Sequence, residues 1–336
     1  MDWIESLVLG AVQGITEFLP ISSDGHLKVT QSVFNHLSGK PKATADEIFF
    51  DVMLHVGTLL AIVLHYRTSV VEGARGLLGS EEVDPWYRRA SVIRVGVLAF
   101  IATLPLIPDK LFFMDYIEGA FQSLTATGAG FLVTAAVLLL TIRLKGGEKG
   151  PAETTWPLAL LIGIAQMFAP LPGVSRSGLT IAAALALGFS RTWAVNFSLL
   201  IAVPAILGAT VFELRKVDPA TLTGERVGQI VASAALAGVI GYLAIVWLVR
   251  IVRSGRVWYF SVYLVLLGLG LIAFDSFGKG GHDAGRPSAA HGTIRPRPPG
   301  PRDRPRAVRP PDGLAGPLLA GPVAAPPAPV PSNGGD

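Results

Sequence analysis

Along residues 3–275 the apolar positions come in long runs, not in the strict alternation of a half-buried strand. Runs at about 48–66, 91–108, 124–142, 193–213, 227–249 and 257–274 each approach the roughly 20 residues that a helix needs to cross a bilayer. Two other stretches are too short. Residues 3–19 carry Glu5, Gln13 and Glu17 and stop at Pro20, and a second short helix is expected over 22–34 with Ser22 or Ser23 as its N-cap. In the second half, 156–169 runs into Pro170 and Pro172, and a helix restarts over about 174–187. Two short helices meeting at a Pro/Ser/Gly elbow predict a re-entrant hairpin, which a membrane tolerates only where the elbow is buried in protein. The stretches 35–47, 67–90 and 143–155 read as polar or glycine-rich breaks.

The two series also match residue for residue. At a fixed offset of 153, Trp3, Leu7, Gly10, Gln13, Ser22 and Gly25 fall on Trp156, Leu160, Gly163, Gln166, Ser175 and Gly178. Each half, about 1–145 and 154–275, then holds one re-entrant hairpin and three spans. Three crossings per half invert the second half relative to the first. The expected fold class is an all-α polytopic membrane protein with an inverted-topology repeat, and its binding site should lie where the two elbows approach.

Composition narrows this picture. With 51% hydrophobic and 15% charged residues among 336, and a mean hydropathy of +0.52, the chain is too apolar for one soluble core. It has no cysteine, which excludes a disulfide frame or a thiolate metal site. The N-terminal MDWIESLVLG lacks a basic region and a cleavage site, and reads as a first membrane segment. The net charge of +4 sits in residues 276–336, which hold eight Lys/Arg against four Asp/Glu; the remaining residues hold 20 of each sign. The excess is therefore no nucleic-acid face. That same tail carries 14 of the 25 prolines and is expected to be disordered. Short loops opposite the N-terminus hold ten basic residues against seven on the N-terminal side, so both termini are expected to face outward.

The candidate chemistry lies in the elbows. APLPGVSRSGLT, residues 169–180, sets Arg176 between Ser175 and Ser177 in otherwise apolar surroundings, where an arginine is costly and by default functional. Its guanidinium fork, the hydroxyls of Ser175, Ser177 and Thr180, and the amides of a starting helix make a phosphate cradle. The first elbow, QGITEFLPISSDGH, places Gln13 and Glu17 on one helix face, followed by Ser22, Ser23, Asp24 and His26. Acid, imidazole, hydroxyls and arginine together suit phosphoryl transfer, which rests on positioning and charge neutralisation. Asp51 and His55, four apart on a span, are either a pair lining this site or an internally satisfied structural pair; His65 reads as interfacial.

QGITEFLPISSDGH and PGVSRSGLT resemble the two signature motifs of the bacitracin-resistance family of undecaprenyl-diphosphate phosphatases; 50–63 and 197–209 are similar to further family segments. The resemblance runs from about residue 2 to 274. It implies a polytopic enzyme of the bacterial plasma membrane, acting toward the outer face, that removes the terminal phosphate of undecaprenyl diphosphate. The product is the lipid carrier of cell-wall synthesis, and the activity confers bacitracin resistance. It implies Gln13 and Glu17 as ligands of a divalent cation, Mg²⁺ or Ca²⁺, and Glu17, Ser23, His26 and Arg176 as catalytic residues. Ser22, Ser175, Arg176, Ser177 and Thr180 would bind substrate. The implied partners are a polyprenyl diphosphate lipid, the bilayer and, as an assembly, a homodimer. Two departures stand out: Gln13 where many members have Glu, and Asp24 where Thr is frequent. Whether His26 attacks phosphorus, or serves as base for Ser23 or for water, stays open at this stage. A transporter or flippase of a polyprenyl phosphate lipid is the rival reading.

Overall fold

The computed structural model describes residues 2–38, 45–112, 114–121, 123–215 and 223–283, so the Pro-rich tail beyond Asp283 lies outside the described residues. Among those residues the protein is all-helical. Helix α1 (Trp3–Thr16) starts from a capping box in which Asp2 and Glu5 each accept from the other's backbone amide. It is followed by α2 (Ser23–Ser38), α3 (Ala45–His65), α4 (Arg67–Leu77), α5 (Arg89–Thr103), α6 (Ile107–Phe112), α7 (Met114–Phe121) and α8 (Leu124–Leu140). The second half comprises α9 (Trp156–Gln166), α10 (Arg176–Ala186), α11 (Arg191–Leu214), α12 (Gly224–Arg253) and α13 (Tyr259–Asp283).

Among the described residues, four segments are long and apolar enough to cross a membrane: Arg89–Leu106, Arg191–Phe212, Gly224–Arg253 and Tyr259–Phe277. Phe49–His65 with Arg67–Leu77 makes a fifth if counted as one span, bent by 77°. Helix α8, the remaining expected span, has 17 residues, or about 26 Å at the helical rise, just short of a hydrocarbon core of about 30 Å. Helices α1, α9 and α10, with 14, 11 and 11 residues, are far shorter, as the elbow reading requires. The break expected over 67–90 is not all loop. It opens with α4, a helix that carries Arg67, Glu72 and Arg75 beside the exposed Val70 and Val71 and is bent by 77° from α3. Helix α13 runs on to Asp283, past the boundary expected at 275.

The two halves pack by exchange. Helix α1 lies against α12 and α9 against α5; α3 and α11 pair directly, as do α8 and α13. Matched glycines allow the first two contacts. A Cβ at Gly10 would stand 2.6 Å from the Ser233 carbonyl oxygen, and one at Gly163 would stand 2.4 Å from that of Ala102. Small residues at such crossings let backbones approach where lipid supplies no hydrophobic drive between helices. Around the elbows, Phe18, Leu19, Phe131, Ile162 and Ile181 are fully buried and hold the short helices at depth.

Candidate active site

The first elbow is the turn between α1 and α2. Glu17 caps α1, its N–H bonded to the Gln13 carbonyl. Ser22 then adopts φ 70°, a left-handed conformation uncommon for a residue with a side chain. Its Oγ accepts from the Gly25 amide at 3.3 Å and so starts α2. The second elbow repeats the device one half later: Ser175 Oγ accepts from the Gly178 amide at 3.1 Å. Its sharp turn is Gly173 at φ 82°, where a Cβ would lie 2.1 Å from the Thr127 carbonyl oxygen, so only glycine fits. Thr134 clamps this turn from α8, donating to the Gly173 carbonyl and accepting from the Ser175 amide, both at 3.0 Å.

The elbows meet at Glu17. Its side chain is 1% exposed. Oε2 accepts from Gln13 Nε2 at 2.9 Å and from Ser23 Oγ at 2.8 Å. Oε1 forms an ion pair with Arg176 Nη2, contributed by the opposite half. Taking two charges out of water is costly unless they are paired and hydrogen-bonded, and here the carboxylate has three donors. The expected residues Gln13, Glu17, Ser23 and Arg176 are thus brought into one cluster. His55 Nε2 stands 3.4 Å from Glu17 Oε2 and 3.8 Å from Asp24 Oδ1, between the two carboxylates. The Asp51–His55 pair is joined through the main chain: His55 Nδ1 donates to the Asp51 carbonyl at 2.8 Å, while the Asp51 carboxylate accepts from Gln31 Nε2. Of the two readings of that pair, His55 lines the site and the Asp51 carboxylate turns to α2. Asp24, the departure beside a diphosphate site, faces His55.

His26 lies on α2 with Ser23 but has other partners. Nδ1 donates to the Ser22 carbonyl at 2.7 Å, and Nε2 is 2.7 Å from the Tyr263 hydroxyl on α13. Phe131 meets the imidazole edge-on at 5.0 Å. The second-elbow hydroxyls are engaged within the protein. Ser177 Oγ donates to the Leu19 carbonyl at 3.1 Å and ties one elbow to the other; it also lies 3.2 Å from Ser175 Oγ. Thr180 Oγ1 donates to the Arg176 carbonyl at 2.9 Å and lies 2.6 Å from Ser198 Oγ. His65 packs edge-on against Tyr66 and Tyr242 at the end of α3. Thr134 and Tyr263 had no sequence signal, since each is one of several polar residues scattered along an apolar helix; Ser198 was marked only by lying in the family-like segment 197–209. His55 was signalled by its spacing from Asp51 and by lying in the family-like segment 50–63.

For a metal, the donor set is limited. Among the described residues no group of three or more His, Asp or Glu side chains is disposed to hold an ion. Gln13 Oε1, however, is buried without a hydrogen-bond partner beside the Glu17 carboxylate. Two protein oxygens of this kind fit a hard cation whose remaining ligands are substrate phosphate oxygens and water.

A carboxylate, a hydroxyl and a guanidinium thus converge where the two elbows meet. Known proteins resemble this chain along most of its length. A family described as bacitracin resistance protein BacA matches residues 6–270. A protein of Carboxydothermus hydrogenoformans named undecaprenyl-diphosphatase is 34% identical over 281 residues, covering 83% of this chain and all of the relative. One of Desulfatibacillum aliphaticivorans with the same name is 35% identical over 276 residues, 80% of this chain and 97% of the relative. Another, of Desulfosudis oleivorans, is 36% identical over 283 residues, 80% and 97% respectively. With nearly its whole membrane part matched, this chain belongs to the bacitracin resistance protein BacA family.

Proposed function

We propose that the protein hydrolyses undecaprenyl diphosphate to undecaprenyl phosphate and inorganic phosphate, returning the lipid carrier to peptidoglycan synthesis and conferring bacitracin resistance. The observation that carries this reading is the Glu17–Arg176 pair, which joins the two elbows and holds Ser23 Oγ on the same carboxylate. The halves act as inverted repeats, the apolar helices give the prenyl tail its lateral groove, and the site opens toward the outer face of the plasma membrane.

The chemistry follows from the contacts. Arg176, with its side chain 21% exposed, takes the terminal phosphate and neutralises charge on its oxygens. Ser23 Oγ already donates to Glu17 Oε2, so the carboxylate is placed to receive its proton as Oγ attacks phosphorus. The Oγ–P bond forms, the bridging P–O bond breaks, and the prenyl phosphate leaves with the electron pair. Water then attacks phosphorus, the P–Oγ bond breaks, Glu17 returns the proton to Ser23 Oγ, and His26, on the same helix, takes the proton of the water. Ser23 rather than His26 is the nucleophile in this reading, because its Oγ already rests on a carboxylate that can take its proton. Gln13 and Glu17 would hold the divalent cation, Mg²⁺ or Ca²⁺, which when bound supplies further charge neutralisation at the diphosphate.

The test is phosphate release from undecaprenyl diphosphate by the purified chain, with and without EDTA. Release that EDTA abolishes and added Mg²⁺ or Ca²⁺ restores is expected. No release under any metal condition contradicts the phosphatase reading and favours lipid transport; release indifferent to EDTA contradicts the cation.

A further inference from the structure

One contact at the site belongs to neither motif. In the neutral ring of His26, Nδ1 must carry the proton, because the Ser22 carbonyl 2.7 Å away can only accept. Nε2 then holds the lone pair, and the Tyr263 hydroxyl at 2.7 Å donates to it. The two rings stack with centroids 5.7 Å apart and planes 17° from parallel, while Phe131 closes another side of the imidazole. Both ring nitrogens are thus satisfied, and the atom that could act on phosphorus or on a water is capped. Tyr263 comes from α13, the last helix of the opposite half, and is 45% exposed, so its hydroxyl can swing away without repacking the core.

We propose that Tyr263 is a positioning residue of the phosphate site, a latch that holds His26 as the Nδ1–H tautomer and caps Nε2 until a phosphate oxygen of the substrate takes over the phenol's hydrogen bond. The inference rests on His26 belonging to the site of the proposed phosphatase. No covalent bond changes in the exchange. An O–H···N bond is replaced by a charge-assisted O–H···O bond to phosphate, the stronger of the two kinds, so an anionic head group can open the latch and water alone cannot. Nε2 is then free only in the substrate complex. The ring stack survives the exchange if the phenol pivots about its own plane, which keeps the imidazole aimed.

The test uses the full chain in detergent, treated with diethyl pyrocarbonate, with carbethoxylated histidines located by peptide mass mapping. Tyr263→Phe keeps the ring and deletes the hydroxyl. His26 is expected to react about fivefold faster in Y263F than in the parent protein, the factor for one neutral hydrogen bond lost. His65, remote from α13 in its contacts, should react equally in both and serves as the internal reference. An unchanged His26 rate in a normally melting Y263F overturns the latch, since that is the outcome of a packing role. A second measurement does not depend on the variant: the ¹⁵N shifts of His26 in the unsubstituted protein should report Nδ1 protonated and Nε2 as acceptor, and an Nε2-protonated ring overturns the proposal. Faster His26 modification in a protein that releases no phosphate leaves the latch standing and removes the phosphatase reading, so the two failures are distinguishable.

Discussion

The two elbows have matching serines at their helix starts, yet they divide the labour unequally. In the first, the side chains after the turn point their polar atoms at one carboxylate: Ser23 donates to Glu17, and Asp24 reaches His55 beside it. In the second, Ser175 and Thr180 bond within their own half and Ser177 reaches only the Leu19 main chain; of these side chains, Arg176 alone pairs with a side chain of the first half. The difference teaches that a hydroxyl-rich motif need not be a row of ligands. On the proposed reading the first elbow carries the chemistry; in the second a guanidinium is held at a fixed place, and the hydroxyls bond to the protein.

The contrast can be broken by substitution. Ser23→Ala should have the largest effect, lowering kcat for phosphate release by about 10⁴-fold or more, because it deletes the nucleophile. Arg176→Lys should lower kcat/KM by about 10³-fold, because an ammonium cannot reproduce the planar fork and removal of one preorganised donor alone costs about 10²–10³. Ser177→Ala should change kcat by less than about threefold if its hydroxyl serves only to tie the elbows. Steady-state kinetics of the two alanine variants side by side decide the point; equal losses would erase the distinction between the elbows. Gly173→Ala should destabilise the fold by about 2–3 kcal/mol, since it adds a Cβ against the Thr127 carbonyl at a positive φ. A thermal melt in detergent reads it. Ser175→Ala should be the mildest, about 1 kcal/mol of stability from the lost cap, with kcat within about threefold of the parent.

Much of this was legible beforehand because membranes enforce it. An apolar run must become a helix in lipid, so four of the six expected spans could be read from length alone, while the runs at 48–66 and 124–142 became a bent pair and a shorter helix; a proline-interrupted run too short to cross reads as an elbow. Gln13, Glu17, Ser23 and Arg176 were readable for the same reason: polar residues at that depth need one another. The role of the second-elbow hydroxyls was less legible, because a serine that caps a helix and one that binds phosphate have the same sequence context. Thr134, Ser198 and Tyr263 reach the site from helices far away in sequence, each among other scattered polar residues of an apolar helix, and only packing singles them out. Helix α4 was hidden by its charges: Arg67, Glu72 and Arg75 made the segment look like a linker, although an amphipathic helix needs such residues on its polar face.

The central claim is that one carboxylate of the first half and one guanidinium of the second form a single working unit. A double-mutant cycle on phosphate release, with Glu17→Gln, Arg176→Gln and the two combined, tests it directly, because residues acting together are non-additive while independent ones multiply. The account predicts that the double variant is no worse than the poorer single variant. Losses in kcat/KM that multiply would contradict it.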